Sequence, residues 1–181
     1  MNFKFNINLN DNDYLDYNTF LMFKSPYGRK QILKFRIFIS VLFLPLCLIY
    51  LYGGEFSVRS FIGVIPYLIV FALVQLLFKT FFVWILKENM KALKKKGKMG
   101  YSPVADMEFY EESFSETTPE SKTEQKYSAI ERVSVYADKV VYIHVNNVMS
   151  YILPISCFGS KEQYEEFLGF IKTKCTKVDT Y

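Results

Sequence analysis

The stretch IFISVLFLPLCLIYLYGG, Ile37–Gly54, runs for 18 residues without a charge. A second uncharged run of 19 residues, Ser60–Phe78, follows after a short connection. Each run is close to the ~20 residues that a helix needs to cross a ~30 Å hydrocarbon layer. A core helix of a soluble protein would normally be shorter and would keep a polar stripe, which the first run lacks. The two runs therefore predict a transmembrane hairpin, with spans at about 37–54 and 60–80.

Basic residues flank both runs, and their distribution predicts the orientation. Six lysines fall in KENMKALKKKGKMG, Lys87–Gly100, whereas the connecting loop Gly53–Ser60 carries only Glu55 and Arg59. We therefore expect a multi-pass protein of the cell (inner) membrane with both termini in the cytoplasm. The residues expected to set this topology and contact anionic head groups are Arg29, Lys30, Lys34, Arg36, Lys87, Lys91, Lys94, Lys95, Lys96 and Lys98.

The charge of the remaining chain argues against nucleic acid as a partner. Residues 101–181 hold 8 Lys and Arg but 13 Asp and Glu, so this region is acidic although the whole chain is formally +4. A nucleic-acid-binding domain would be basic across its surface. The lysines after the second run are therefore interpreted as a membrane-side marker.

Residues 1–24 are predicted to form a strand and a short amphipathic helix. FKFNINL alternates apolar and polar residues with the period of a half-buried strand, and Asp11–Phe23 is typical of a helix. Residues 25–98 then form the hairpin, because Ser25-Pro26 is a good helix start. The second helix is expected to continue to about Lys95 and to stop at Gly97 and Gly100.

The region 101–181 changes to short runs rich in β-branched and aromatic residues, separated by turn-prone segments such as Ala137-Asp138-Lys139. It ends in an amphipathic helix at 160–175, where Ser160 and Gln163 match a capping box. The fold class expected is an α+β membrane protein. Its transmembrane hairpin is followed by a cytosolic antiparallel β domain of five to seven strands, a PH-like open barrel closed by one C-terminal helix.

These elements, in this order, resemble the YcxB-like family of small bacterial membrane proteins. The resemblance rests on DYLDYNTFLMFKS before the first span, the two close spans, YSAIERV (127–133) and YILPISCFGSKEQYEEF (151–167). It covers nearly the whole chain. The residues that match the family pattern are structural ones, namely Tyr127, Ile130, Pro154, Phe158 and Ser160. The resemblance implies a location and an architecture and brings no activity.

Candidate catalytic groups are few. His144 is the one histidine, and pairing it with Cys157 would need a third, orienting group that the sequence does not provide. Glu111-Glu112 and Glu165-Glu166 are interpreted as solvated surface pairs. The cysteines, which include Cys47 and Cys175, have no metal-ligand or redox spacing. We therefore expect no enzyme, no catalytic residue, no metal and no cofactor.

Three functions are compatible with these sequence features. The first is a non-enzymatic membrane protein whose cytosolic domain binds an unidentified protein partner or acts as a regulatory module. The second is an oligomeric transport or pore component, a homo-oligomer with Gln75 and Lys79 facing a polar path. The third is an immunity or membrane-stress protection protein. A domain without a concave polar pocket would favour the first.

Overall fold

The computed structural model describes residues 2–52, 58–99, 101–147 and 149–181. The predicted helix end at Gly53-Gly54, most of the connecting loop and Gly100 lie outside these residues. The chain forms two compact units, Met1–Asn18 with Met99–Tyr181, called the β domain here, and Thr19–Lys98, the helical unit.

The predicted N-terminal strand and helix correspond to β1 (Phe3–Asn8) and α1 (Asp11–Phe23), but the apolar side chains of α1 are spread around the helix, so its predicted amphipathic character is not found. Asn10 begins α1, because its Oδ1 accepts hydrogen bonds from the backbone N–H groups of Asn12 and Asp13 at 2.8 and 3.2 Å. Asp13 Oδ2 in turn accepts from Asn10 N–H at 2.9 Å. This reciprocal arrangement is a capping box, with Asp in the position that Glu or Gln usually takes.

The helical unit contains two long helices, α2 (Pro26–Tyr52) and α3 (Val58–Lys95). They pack antiparallel, since the rings of Phe35 and Phe78 lie 4.9 Å apart and those of Phe43 and Phe71 lie 5.3 Å apart. The predicted end of α3 is confirmed at Lys95, and Gly97 follows with a φ of 66°, the left-handed conformation that glycine adopts without strain.

One helical segment among the described residues, Ile62–Lys95, is long and apolar enough to cross a membrane. None of its most apolar part is buried within the structure. Length and composition thus support a membrane location, while the number of crossings and their direction stay predictions.

Among the described residues, seven strands and one α-helix follow the helical unit in the β domain. The strands are β2 (Val104–Phe109), β3 (Ser113–Thr117), β4 (Lys122–Lys126), β5 (Arg132–Tyr136), β6 (Val140–His144), β7 (Ser150–Pro154) and β8 (Val178–Thr180). The helix is α4 (Lys161–Lys174), and short 3-10 helices lie at Tyr127–Ala129 and Ile155–Cys157. The α+β class is confirmed.

The described strands form two four-stranded sheets, ordered β1-β2-β3-β4 and β7-β6-β5-β8. The PH-like barrel is not confirmed, because these sheets do not close on one another. The ladder breaks after β4, where the 3-10 helix at Tyr127–Ala129 buries Tyr127 and separates β4 from β5. The pairing is antiparallel except that β8 runs parallel to β5, and β8 follows α4, so the helix is not the last element.

Aromatic rings fill the core of the β domain. Phe5 lies between β2 and α4, with ring centroids 5.9 Å from Phe109 and 5.1 Å from Phe167. The ring centroid of Phe158 lies 4.7 Å from that of Phe5, on another side of the Phe5 ring. The alternation in β1 thus places Phe3, Phe5 and Ile7 inward, as the period of two predicts.

The turn between β5 and β6 has the geometry of a type I′ hairpin. Ala137 and Asp138 have φ values of 51° and 50°, and Lys139 N–H donates to Tyr136 O at 3.0 Å. This backbone matches the right-handed twist of the flanking strands. The turn predicted at these residues is confirmed.

Candidate functional site

The ten basic residues expected to set the topology are all exposed. Those of α2 lie in its first three turns, and those of the second group lie at the end of α3 or just beyond it. Lys91 is ion-paired locally, since its Nζ lies 2.7 Å from Glu88 Oε1. Their side chains are therefore available to solvent or to lipid head groups.

Four of the five family-pattern residues pack within the β domain, and the fifth, Ser160, is exposed at the start of α4. Tyr127 is buried and donates its hydroxyl to Tyr110 O at 2.8 Å. Ile130 packs against the core, Pro154 ends β7 opposite Val140, and Phe158 fills the core beside Phe5. Each has a structural position here, in keeping with their interpretation from sequence.

Ser160 caps α4, although not in the way the sequence pattern implies. Its hydroxyl accepts from Gln163 N–H at 3.2 Å, which is one half of a capping box. Gln163 Oε1 accepts from Gly159 N–H at 2.7 Å instead of from the Ser160 amide. The capping box prediction is therefore right for the serine and wrong for the return bond, since the glutamine reaches one residue further back.

Ser160→Ala should lower the free energy of unfolding of the β domain by about 1 kcal/mol, the usual cost of losing an N-cap. Ser160→Asp should leave it nearly unchanged, because Asp offers an equivalent acceptor and suits the positive end of the helix dipole. Urea denaturation followed by circular dichroism measures both. Equal losses for the two variants would contradict a capping role.

His144 is a buried polar residue of the β domain with hydrogen-bond partners on two neighbouring strands. It is fully buried at the end of β6, with Nε2 3.0 Å from Ser134 Oγ on β5 and Nδ1 2.6 Å from Ser150 Oγ on β7. Tyr17 of α1 donates its hydroxyl to Ser150 Oγ at 3.0 Å. A hydroxyl-imidazole chain thus runs from α1 across three strands.

This chain lies on the polar face of the second sheet, opposite the aromatic core. The sequence indicates that Tyr142 and His144 share the less apolar face of β6, and the structure buries that face as well. Tyr17 covers it, with its ring 5.4 Å from that of Tyr142. Tyr17, Ser134 and Ser150 were not predicted, because the residues that meet here are far apart in sequence.

Burial, and to a smaller extent the nearby positive charge of Arg132, lower the pKa of His144 from 6.5 to about 3. The imidazole is therefore neutral at physiological pH and acts as a donor on one nitrogen and an acceptor on the other. No carboxylate completes a catalytic triad among these contacts. The arrangement is best explained as a satisfied structural hydrogen-bond chain.

The β domain should lose stability as the pH falls below 6.5. Unfolded His144 takes up a proton near that pH, whereas the folded state resists protonation down to about pH 3. Protonation therefore favours the unfolded chain, and this residue alone should remove about 2–3 kcal/mol between pH 7 and pH 4.5.

His144→Gln isolates this contribution, since glutamine keeps hydrogen-bonding groups without titrating. Unfolding free energies of both proteins are measured in urea from pH 7 to pH 4.5. The variant should lose less stability over this range than the parent. Parallel curves would contradict a buried neutral imidazole.

The remaining candidate catalytic groups lie apart from this chain of contacts. Glu111 and Glu112 are exposed in the β2–β3 turn, and Glu165 and Glu166 are exposed on α4. Burial raises the pKa of Cys157 to about 12 and that of Cys175 to about 11, which keeps both as inert thiols. Within the described ranges, no group of three His, Cys, Asp or Glu side chains could hold a metal ion.

Lys79 and Gln75, the residues of the possible polar path, lie on α3. Lys79 is exposed, with its ammonium 5.9 Å from the centroid of the Phe23 ring in a cation–π contact. Gln75 is half-buried. The aromatic contact gives Lys79 a local role that does not require a pore.

A shallow polar depression of about 390 Å³ lies at the outer edge of the first sheet. Its lining comes from Glu112, which precedes β3, from Ser113, the first residue of β3, and from Glu124, Gln125 and Lys126 of β4. Ser113 Oγ donates to Glu124 Oε1 at 2.6 Å across the two strands. The depression is too open to enclose a small substrate, but it follows a sheet edge.

These features define the chain as an α+β protein with a long apolar helix and a β domain whose interior is packed with aromatic side chains. Residues 109–171 match the model of the family described as YcxB-like protein. This range, about a third of the chain, runs from the end of β2 into α4. The resemblance to the YcxB-like family is thereby confirmed over residues 109–171. No curated protein and no solved structure matches the chain.

Proposed function

We propose that this protein is a non-enzymatic membrane protein whose β domain is a protein-interaction module on the cytoplasmic side. The observation that carries the proposal is the contrast between the interior and the edge of the domain. Its interior is filled by the rings of Phe3, Phe5, Phe109, Phe114 and Phe167, among others, while its polar depression lies along an edge strand. A filled core with an open edge suits binding of another chain better than enclosure of a substrate.

The membrane anchor in this proposal is the hairpin of α2 and α3. Large apolar side chains point outward along α3, where Leu76 is 77% exposed and Leu77 is 54% exposed. An apolar cleft of about 560 Å³ lined by α2 and α3 residues, Phe35 and Phe78 among them, adds to this surface. Apolar surface on this scale is costly in water and suits lipid.

Orientation in this proposal comes from the ten exposed basic residues beside the two helices. They would lie at the cytoplasmic head groups, in accordance with the excess of Lys and Arg on that side of membrane proteins. Lys161→Cys on α4 tests the orientation. A membrane-impermeant thiol reagent should label it only after cells are broken, and labelling of intact cells would overturn the cytoplasmic placement.

Photo-crosslinking in the full-length protein tests the interaction module. A photoreactive amino acid is placed at Glu124 on the edge strand, at Glu165 on the exposed face of α4, and at Leu76 on α3. Protein adducts from Glu124 that exceed those from Glu165 support the proposal. Adducts from Leu76 alone would move binding to the helices and overturn it.

A further inference from the structure

We infer that β4 is a dimerisation edge, which pairs antiparallel with β4 of a second copy of this chain about a two-fold axis at Thr123. The two first sheets would then join into one continuous sheet. Among the described strands, β4 is the last of its sheet and pairs with β3 alone. The inference deepens the proposed function, on which it rests, by naming the chain that occupies the edge.

The backbone groups that face away from β3 can be assigned from the hairpin. Thr118 N–H donates to Ser121 O at 2.8 Å and closes the turn, so these two residues are a hydrogen-bonded pair. Hydrogen-bonded and non-bonded pairs alternate along an antiparallel ladder. Thr123 and Gln125 therefore bond to β3, while Lys122, Glu124 and Lys126 present their N–H and C=O groups outward.

A second copy fits this edge with complementary charges. Centring the pair on Thr123 places Lys122 of each copy opposite Glu124 of the other, with both residues exposed and exchanging backbone hydrogen bonds. Two Lys–Glu pairs result from the symmetry. Opposite charges directly across a sheet stabilise the pairing.

The neighbouring register is repulsive. Centring the pair on Glu124 sets the two Glu124 carboxylates against each other and Lys122 against Lys126. Like charges in these positions destabilise a ladder. Lysines at a sheet edge ordinarily discourage association with other chains. Centring the pair on Gln125 would also set Glu124 against Lys126, but that register runs off the strand after Lys126, where the 3-10 helix begins at Tyr127. The register centred on Thr123 is therefore the favourable one for a second copy.

Single-cysteine crosslinking of the full-length protein in mild detergent tests the register. In the inferred dimer the two Thr123 residues form a non-hydrogen-bonded pair with Cα atoms about 4.5 Å apart, within the range for a disulfide. The two Glu124 residues are diagonal neighbours about 7–8 Å apart, which is too far.

Mild oxidation should therefore give about tenfold more disulfide dimer from Thr123→Cys than from Glu124→Cys or from the distant Lys161→Cys. The parent protein serves as the background for Cys47, Cys157 and Cys175. More dimer from Glu124→Cys than from Thr123→Cys, or no excess from either, would overturn the inference.

Reversing the charges at positions 122 and 124 in two differently tagged copies gives an independent test, in which co-purification of the two copies is measured. Lys122→Glu alone or Glu124→Lys alone should abolish co-purification of the copies, because each variant faces like charges. Mixing the two variants should restore it, since every 122–124 contact is again opposite in charge. Lys161→Glu mixed with Glu165→Lys, an exposed pair on α4, should change nothing.

Failure of restoration would refute the dimer edge. The proposed interaction module would survive that result if Glu124 still crosslinked to another protein. The β4 dimer edge and the protein-interaction module can therefore be refuted by different results.

Discussion

Deletion of Phe3–Asn8 is expected to unfold the β domain, although these residues precede the rest of the domain by nearly a hundred positions. β1 pairs with β2 along its whole length, from Phe3 opposite Phe109 to Asn8 opposite Val104. Its inward side chains, Phe3, Phe5 and Ile7, are 6%, 1% and 2% exposed. Burial of three such side chains contributes about 5–9 kcal/mol, which is comparable to the whole stability of a typical domain.

The measurement is the cooperative unfolding transition of the β domain, followed by amide hydrogen exchange in β5–β7. The deletion should abolish slow exchange there. Phe5→Ala should retain a transition and lose about 3–5 kcal/mol. Lys4→Ala is the matched control, because Lys4 points outward and its ion pair with Glu108 is exposed, so its loss should leave the unfolding transition almost unchanged.

Slow exchange retained in the deletion protein would contradict this account. Fragments that lack β1 should fail to fold for the same reason. A piece cut at 101–181, or at the limits of the family match, would leave β2 without β1 and would expose Phe109 and Phe167. Interaction experiments therefore need the full chain.

Gly28→Ala is expected to disrupt the corner between α1 and α2. A Cβ at this position would lie far inside contact distance of the backbone carbonyl oxygens of Leu21 and Met22. Ser25 is fully buried at the same corner, where its hydroxyl donates to Leu21 O at 2.5 Å and accepts from Gly28 N–H at 3.0 Å. Because the obstructing atoms are backbone, the helices must separate, at a cost of about 3 kcal/mol.

Thermal unfolding in detergent, followed by circular dichroism and by the fluorescence of the single Trp84, measures the effect in the helical unit. Gly169→Ala is the matched control. It is exposed on α4, and a Cβ there meets nothing within 4 Å. That variant should stabilise the β domain by about 0.5–1 kcal/mol through helix propensity. Destabilisation by both variants alike would contradict the specific role of Gly28.

Local patterns predicted the elements well. The alternation in FKFNINL, the helix Asp11–Phe23, the end of α3 at Lys95 and the turn at Ala137 all agree with the structure. Each depends on interactions within a few residues, namely side-chain periodicity, caps and turn conformation, so a short stretch of sequence carries the information.

Local patterns did not predict which strands pair with one another or how the sheets and helices pack together. A period of two indicates which side chains share a face, but it does not identify the neighbouring strand. The sequence therefore predicted one open barrel, whereas the chain forms two sheets, with β8 parallel to β5. Likewise, His144 reads as an ordinary sheet histidine, and only Tyr17, contributed by a distant helix, explains why its polar face is buried.

By itself the sequence determined the helices and strands, the apolar run of α3, the basic residues beside it and the resemblance of residues 109–171 to the YcxB-like family. The tertiary structure decided that β1 completes the first sheet, that α1 covers the polar face of the second, and that β4 is left as an edge. The physical reason is that these features arise from contacts between residues that lie more than a hundred positions apart in the sequence. Their formation depends on the burial of both partners together.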